Sequence, residues 1–214
     1  VTNPKTFSDD SLRVLRGVQF AARFDLVCNS DSLKIMQKID ISDLSANRIY
    51  LELEKFFIAK FKRRAMELLS ELGLDLKLFG VEFDGRFIQQ ISNKIHTHKA
   101  SFLYHLINYY AIDGKSLISR LALPNCYSIS YKQPFLRRVS KFELLKIALD
   151  MPLCQWLGLD SKRRIKMAQA LGIYEHKFSP NIDTSAILCV GKAYGDELKR
   201  LRIQAIKDYL NGCN

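Results

Sequence analysis

No apolar run in the 214 residues approaches the length needed to cross a bilayer, so no membrane partner is expected. Cysteine is sparse and badly placed for pairing. Cys28, Cys126, Cys154, Cys189 and Cys213 are odd in number, widely scattered and never in C-x-x-C spacing, which reads as reduced thiols of a cytoplasmic protein. There is no convincing internal repeat, low-complexity tract or long linker. Acid is in deficit: 22 Asp and Glu stand against 33 Lys and Arg, leaving +11 and a pI near 9.5. That balance is the footprint of a partner rich in phosphate.

What is present suits one large or two small globular domains, with 48% hydrophobic and 26% charged residues. The periodicity is helical nearly throughout. Ser8 and Asp9 offer cap oxygens to a helix running from Asp10 to Phe24. Asn29 and Ser30 are cap candidates for a second helix, Ser45 for a third from Ala46 to about Lys60, and Gly73 closes a fourth from Arg63. Further on, helices are expected around Phe102 to Tyr110, around Leu117 to Leu121, and from Phe135 to Leu149. Ser161 caps another that Gly172 ends; Asp183 or Thr184 opens a short one through Val190, and a final helix covers Asp196 to Leu210. Strand signals are short and isolated, around Tyr127 to Tyr131, so the fold class is all-α.

Two local patterns invite a chemical reading and fail it. His96, His98 and His105 lack an Asp or Cys at the spacing of a closed metal site, so a cap or solvent role fits them better. Gly114-Lys115-Ser116 has no leading glycine and no strand before it, unlike a phosphate loop.

The stretch Asn3 to Phe24, NPKTFSDDSLRVLRGVQFAARF, carries more information. Residues three apart share a helix face, so Asp10 and Arg13 should project together, with Arg16 a turn further on. An ionised Asp only accepts hydrogen bonds and an Arg only donates them. Cytosine and adenine each present an amino donor beside a ring-nitrogen acceptor, which this pair matches. Uracil and guanine would leave unmatched polar groups, each costing roughly 1–3 kcal/mol when desolvated. A solvated ion pair is the dull alternative for an isolated D-x-x-R.

The run Thr6-Phe7-x-x-Asp10-x-Leu12-Arg13-x-Leu15-Arg16, followed by Phe20-Ala21-Ala22-Arg23-Phe24, resembles the nucleobase-selecting motif of the class II tRNA nucleotidyltransferases and their bacterial poly(A) polymerase relatives. Ser45-Ala46-Asn47-Arg48-Ile49-x-x-Glu52-Leu53-x-Lys55 is similar to that family's next motif. Asp9 stands where the family usually has Glu, and Asn47 where it usually has Glu before the Arg. Ile182-Asp183, Gly191 and Gly195-Asp196-Glu197-Leu198 resemble the family's tail, with Tyr194 in place of the usual Pro.

The resemblance implies an array of helices like the C-terminal part of those enzymes: a neck over 1–80, a helical body over 81–150, and body end and tail over 151–214. It implies that Asp10, Arg13 and Arg16 bind the nucleotide and that Arg48 and Glu52 brace the neck helices. Basic residues also bunch along the later helices, a pattern that fixes a phosphate backbone without reading sequence. In the family the body and tail hold tRNA, so Arg137, Arg138, Lys141, Lys162, Arg163, Arg164, Lys199, Arg200 and Arg202 are the expected RNA contacts.

The implied partners are tRNA, CTP, ATP and an N-terminal catalytic head, with Mg²⁺ held by the head. No Asp-x-Asp after a Gly-Ser turn exists in these residues, and the chain starts at Val1 almost inside its strongest motif. The expectation is therefore the headless remainder of a longer nucleotidyltransferase, which selects and holds but does not itself catalyse. A helical RNA-binding protein that has lost the enzyme, a poly(A) polymerase, and a scaffold with no nucleic-acid role are the alternatives.

Overall fold

In the computed structural model, residues 9–96, 98–185 and 187–212 are described. Among them there are helices and no strands, so the all-α expectation holds. The chain divides into two compact units, 1–133 and 134–214.

In the first unit, helix α1 (Leu12–Phe24) buries Leu12, Val14, Leu15, Val18, Ala21 and Ala22, the stripe its sequence period dictates. That stripe packs on α3 (Ala46–Ile58) and α4 (Lys62–Glu71). Between them, α2 (Ser30–Met36) is capped by Asn29, whose side chain accepts from Ser32 N at 2.8 Å. Ser45 caps α3 from Arg48 N at 3.4 Å. Gly73, at φ 65°, takes the left-handed turn after α4, and α5 (Leu74–Phe79) begins directly behind it. Helices α6 (Gly85–Ser92), α7 (Ser101–Tyr110), α8 (Gly114–Arg120) and α9 (Asn125–Ser130) complete the unit. Phe102 on α7 is fully buried, with the rings of Phe56, Phe57, Phe79, Phe83 and Phe87 all within 6.2 Å of it. That aromatic cluster ties α3, α5, α6 and α7 into one core.

The second unit is built on α10 (Lys141–Ala148), α11 (Lys162–Ala170) and α12 (Lys192–Gly212), with a short 3₁₀ turn over Leu153–Gln155. Ser140 and Glu143 form a reciprocal capping box on α10. Leu144, Leu145, Trp156, Ala168 and Ile206 form the core. Trp156 donates Nε1 to Pro134 O at 2.8 Å, so the largest core side chain leaves no polar group unmet.

Several local expectations need correction. The expected cap Ser8 lies outside the described residues, and the oxygen that meets the first turn of α1 is Asp10 Oδ1, which accepts from Leu12 N at 3.2 Å. Asn125, Cys126 and Tyr127, expected in a loop, lie in helix α9, and the Tyr127 ring is buried edge-on to Tyr50 and Phe57. The helix expected from Phe135 starts only at Lys141, because the carbonyls of Leu136 and Arg137 turn to Arg164. No helix forms over the described residues of 183–190. There Asp183 Oδ1 accepts both the amide and the hydroxyl of Ser185, at 2.9 and 2.5 Å, a local turn that competes with a helix. The last helix starts earlier than expected, at Lys192, with Gly191 at φ 64° as the break before it.

One buried and one half-buried cation give testable consequences. Lys62 is buried and donates Nζ to Ala59 O; desolvation pushes its pKa from 10.5 down to about 8. Below pH 8 the fold carries a desolvated charge, whereas between about 8 and 10.5 the unfolded chain binds the extra proton, so stability rises with pH across that window. The full gap is worth on the order of 3 kcal/mol, and Lys62→Met should flatten the rise in denaturant midpoint between neutral and alkaline pH. In the second unit Arg164 Nη1 meets Gly158 O at 2.6 Å and Asp160 at 3.0 Å, while Nη2 reaches the carbonyls of Leu136 and Arg137. Asp160 is buried, so Arg164→Met should lower stability by about 3–5 kcal/mol in chemical denaturation.

Candidate nucleobase and RNA site

The first turn of α1 and the first turn of α3 come together through polar side chains. Asp10 Oδ1 accepts from Arg48 Nη2 at 3.1 Å across 38 residues of chain, and Ser11 Oγ donates to Asp43 Oδ2 at 2.9 Å beside it. Asp10 precedes the helix, and its backbone carbonyl accepts from Arg13 N at 3.0 Å, so the two residues span one turn as expected. Its side chain nevertheless pairs with Arg48 and not with Arg13. Both contacts of the Asp10 carboxylate use Oδ1, and the side chain is 32% exposed.

Arg13 is half-buried, and its Nη1 is buried without a hydrogen-bond partner among the described residues. Arg16 is exposed on the same helix. On α3, Glu52 is buried; its Oε1 accepts from Lys55 at 2.8 Å, while Oε2 is buried and unpartnered among the described residues. Sequence period missed the Ser11 to Asp43 tie, because the two lie 32 residues apart and no local pattern links them.

The expected RNA contacts divide by what their charges already touch. Arg137, Arg138, Lys141, Lys162, Arg163 and Lys199 are exposed, and Arg202 is half-buried; none of them has an ion pair among the described residues. Arg200 is held by Glu197 at 2.7 Å, and Arg164 is spent inside the second unit as described above. Among the histidines, His98 Nδ1 accepts from Ala100 N at 3.1 Å, closing a turn ahead of α7, whose N-cap residue Ala100 makes no side-chain cap bond. Among the described residues no group of three or more His, Cys, Asp or Glu is placed to hold a metal ion, and no helix is long and apolar enough to cross a membrane.

No family model matches the chain. It is similar to curated proteins named multifunctional CCA protein: one from Nitrosococcus oceani, 31% identical over 104 residues, and one from Actinobacillus pleuropneumoniae, 32% identical over 105 residues. These matches take in 44% and 42% of this chain and 26% of each relative, so the chain spans about a quarter of the length of the curated relatives it matches. A solved structure described as a tRNA-processing enzyme in an apo form superposes over 96% of this chain and 62% of its own length, with a TM-score of 0.54 at 16% identity, a likeness of fold. Part of this chain is therefore similar in sequence to proteins named multifunctional CCA protein, and its helical array resembles that solved structure in fold.

Proposed function

We propose that the chain is the nucleobase-selecting and RNA-holding portion of a tRNA nucleotidyltransferase that adds C and A to tRNA 3′ ends from CTP and ATP. The observation that carries this reading is Arg13. A half-buried guanidinium with no ion pair among the described residues, one turn from a carboxylate that keeps one oxygen uncommitted, offers donor and acceptor together. Asp10 accepts from the exocyclic amine of C or A, and Arg13 donates to the ring nitrogen.

Arg48 contributes by fixing the carboxylate. Its ion pair holds Asp10 Oδ1 at 3.1 Å, so the free oxygen is aimed by α3 rather than left to rotate. Glu52 holds Lys55 on the same helix, and Arg16 supplies a further exposed cation on the nucleotide side of α1. The Mg²⁺ such an enzyme uses finds no three-residue ligand set among the described residues, and none of these roles runs through it. Because these residues contain no Asp-x-Asp after a Gly-Ser turn to hold the metal, the selecting part is expected to be inactive alone. In the second unit the unpaired cations Arg137, Arg138, Lys141, Lys162, Arg163, Lys199 and Arg202 hold the phosphate backbone of tRNA.

Binding of the four nucleoside triphosphates tests the base-selecting role. CTP and ATP should bind about 10- to 100-fold more tightly than UTP and GTP, the discrimination expected from one or two unmatched polar groups. Asp10→Ala should erase that preference while leaving tRNA affinity nearly unchanged; equal affinities for all four in the unaltered protein reject the role. For the backbone contacts, tRNA affinity should fall steeply with salt, and Arg137→Gln with Arg138→Gln should lower the slope of log K against log salt by up to about two.

A further inference from the structure

Glycine inside a helix costs about 1 kcal/mol relative to alanine, so its presence calls for a backbone or packing reason. Gly195 lies inside α12 and has neither. It is not among the residues with left-handed φ, and a Cβ built on it meets nothing within 4 Å. The space that the missing side chain leaves open belongs to a groove of about 310 Å³ between α12 and the end of α10.

The groove is made by two helical stripes. Along α12, Gly195, Leu198, Lys199, Arg202 and Ile203 recur at three- and four-residue steps on one face. Opposite them, Leu149 with Leu198 and Ile203 gives an apolar floor, and Lys146 joins Lys199 and Arg202 at the rim. The buried Ile206, one turn beyond Ile203, anchors α12 in the core of the unit, so the groove has a fixed wall. None of the three cations has an ion pair among the described residues, although Lys146 and Asp150 stand four apart. Asp150 is the one acidic side chain lining the groove.

We infer that this groove takes one unstacked nucleotide of an RNA chain, base or ribose on the apolar floor and phosphate on Lys146, Lys199 and Arg202. The volume is at the small end of ligand pockets, which run from about 300 to 1,000 Å³. An apolar floor beside three unpaired cations matches a ligand that is flat and apolar at one end and anionic at the other. Asp150 matches the N–H or 2′-hydroxyl donors that a nucleotide also carries. An acidic peptide would set its carboxylates against Asp150 and find little use for the floor. The assignment rests on the reading that the chain binds RNA and adds to it a defined subsite on α12.

The test separates the two. Binding of tRNA to the protein is measured over a range of salt for the unaltered chain and for Gly195→Leu, Arg202→Gln and Lys146→Gln, with thermal melting as a check on folding. Gly195 touches nothing, so Gly195→Leu should melt at or above the unaltered protein yet weaken binding about tenfold with an unchanged salt slope. Arg202→Gln and Lys146→Gln should each lower the slope by about one. RNA carrying 4-thiouridine should crosslink to the α12 face, and the crosslink should vanish in Gly195→Leu. Binding that is intact in all three variants overturns the groove while leaving RNA binding in place. An unaltered protein that binds no tRNA overturns both. Binding to phosphatidylglycerol vesicles that Gly195→Leu abolishes, without RNA binding, assigns the groove to a lipid surface and overturns it too.

Discussion

The first unit depends on how closely α1 can lie against α3 and α4. Ala21 and Ala22 are all but absent from the surface, and Ala22 O accepts from Phe61 N at 2.8 Å just before α4 begins. Small side chains let the backbones approach, and Gln19 is the one polar side chain of α1 that is buried with the stripe. Arg13 and Arg16 fall outside the stripe and Asp10 ahead of it, at the end where α3 begins. Gly17 serves a second close approach, that of Met36 at the end of α2: a Cβ there would meet Met36 Cε at 2.9 Å. The polar turn is thus a product of packing, and its geometry follows from the helix contacts.

In a chain of net charge +11 the local question is which cations are already committed. Arg164 has an acid and three carbonyls, Arg200 has Glu197, and Arg64 is shared between Asp25 at 3.0 Å and Glu67 at 3.5 Å. Those charges stabilise the fold or its surface and offer little to a ligand. Arg137, Arg138, Lys162, Arg163, Lys199 and Arg202 have no such commitment among the described residues, and all lie in the second unit. Binding an anion is easier for cations whose own partners do not have to be displaced first, and pairing, unlike clustering in sequence, tells which basic residues the fold already holds.

Caps and glycine stops were legible before any coordinates: Asn29, Ser45 and Ser161 each accept the amide bond expected of them, and Gly73 turns where α4 ends. These signals are local and repeat the same chemistry in any fold. What was not legible was non-local. Nothing in the run Phe135 to Val139 announces that its carbonyls serve a guanidinium 27 or 28 residues away, so an apolar period was read as helix. Likewise Tyr127 has the composition of a strand residue, and only the rings of Tyr50 and Phe57 decide otherwise. For the candidate site, the turn joining Asp10 to Arg13 was readable, while the pairing of Asp10 with Arg48 was not, because it depends on how α1 and α3 meet.

That meeting leaves an imbalance with a consequence. Arg13 Nη1 on α1 and Glu52 Oε2 on α3 are both buried and unpartnered among the described residues, and the two helices pack directly on one another. Each leaves one hydrogen-bonding atom unmatched, at a cost of about 1–3 kcal/mol apiece. Such groups are rare in folded proteins, and each calls for a physical reason. Both belong to the two motifs that the sequence alone singled out, and neither is needed to close the apolar core around Phe102. Were Arg13 only a surface charge, its nitrogen would be solvated, and were Glu52 only a helix former, it would face water. Their burial with spare hydrogen-bonding capacity makes the α1 and α3 junction a place where the fold gives up stability.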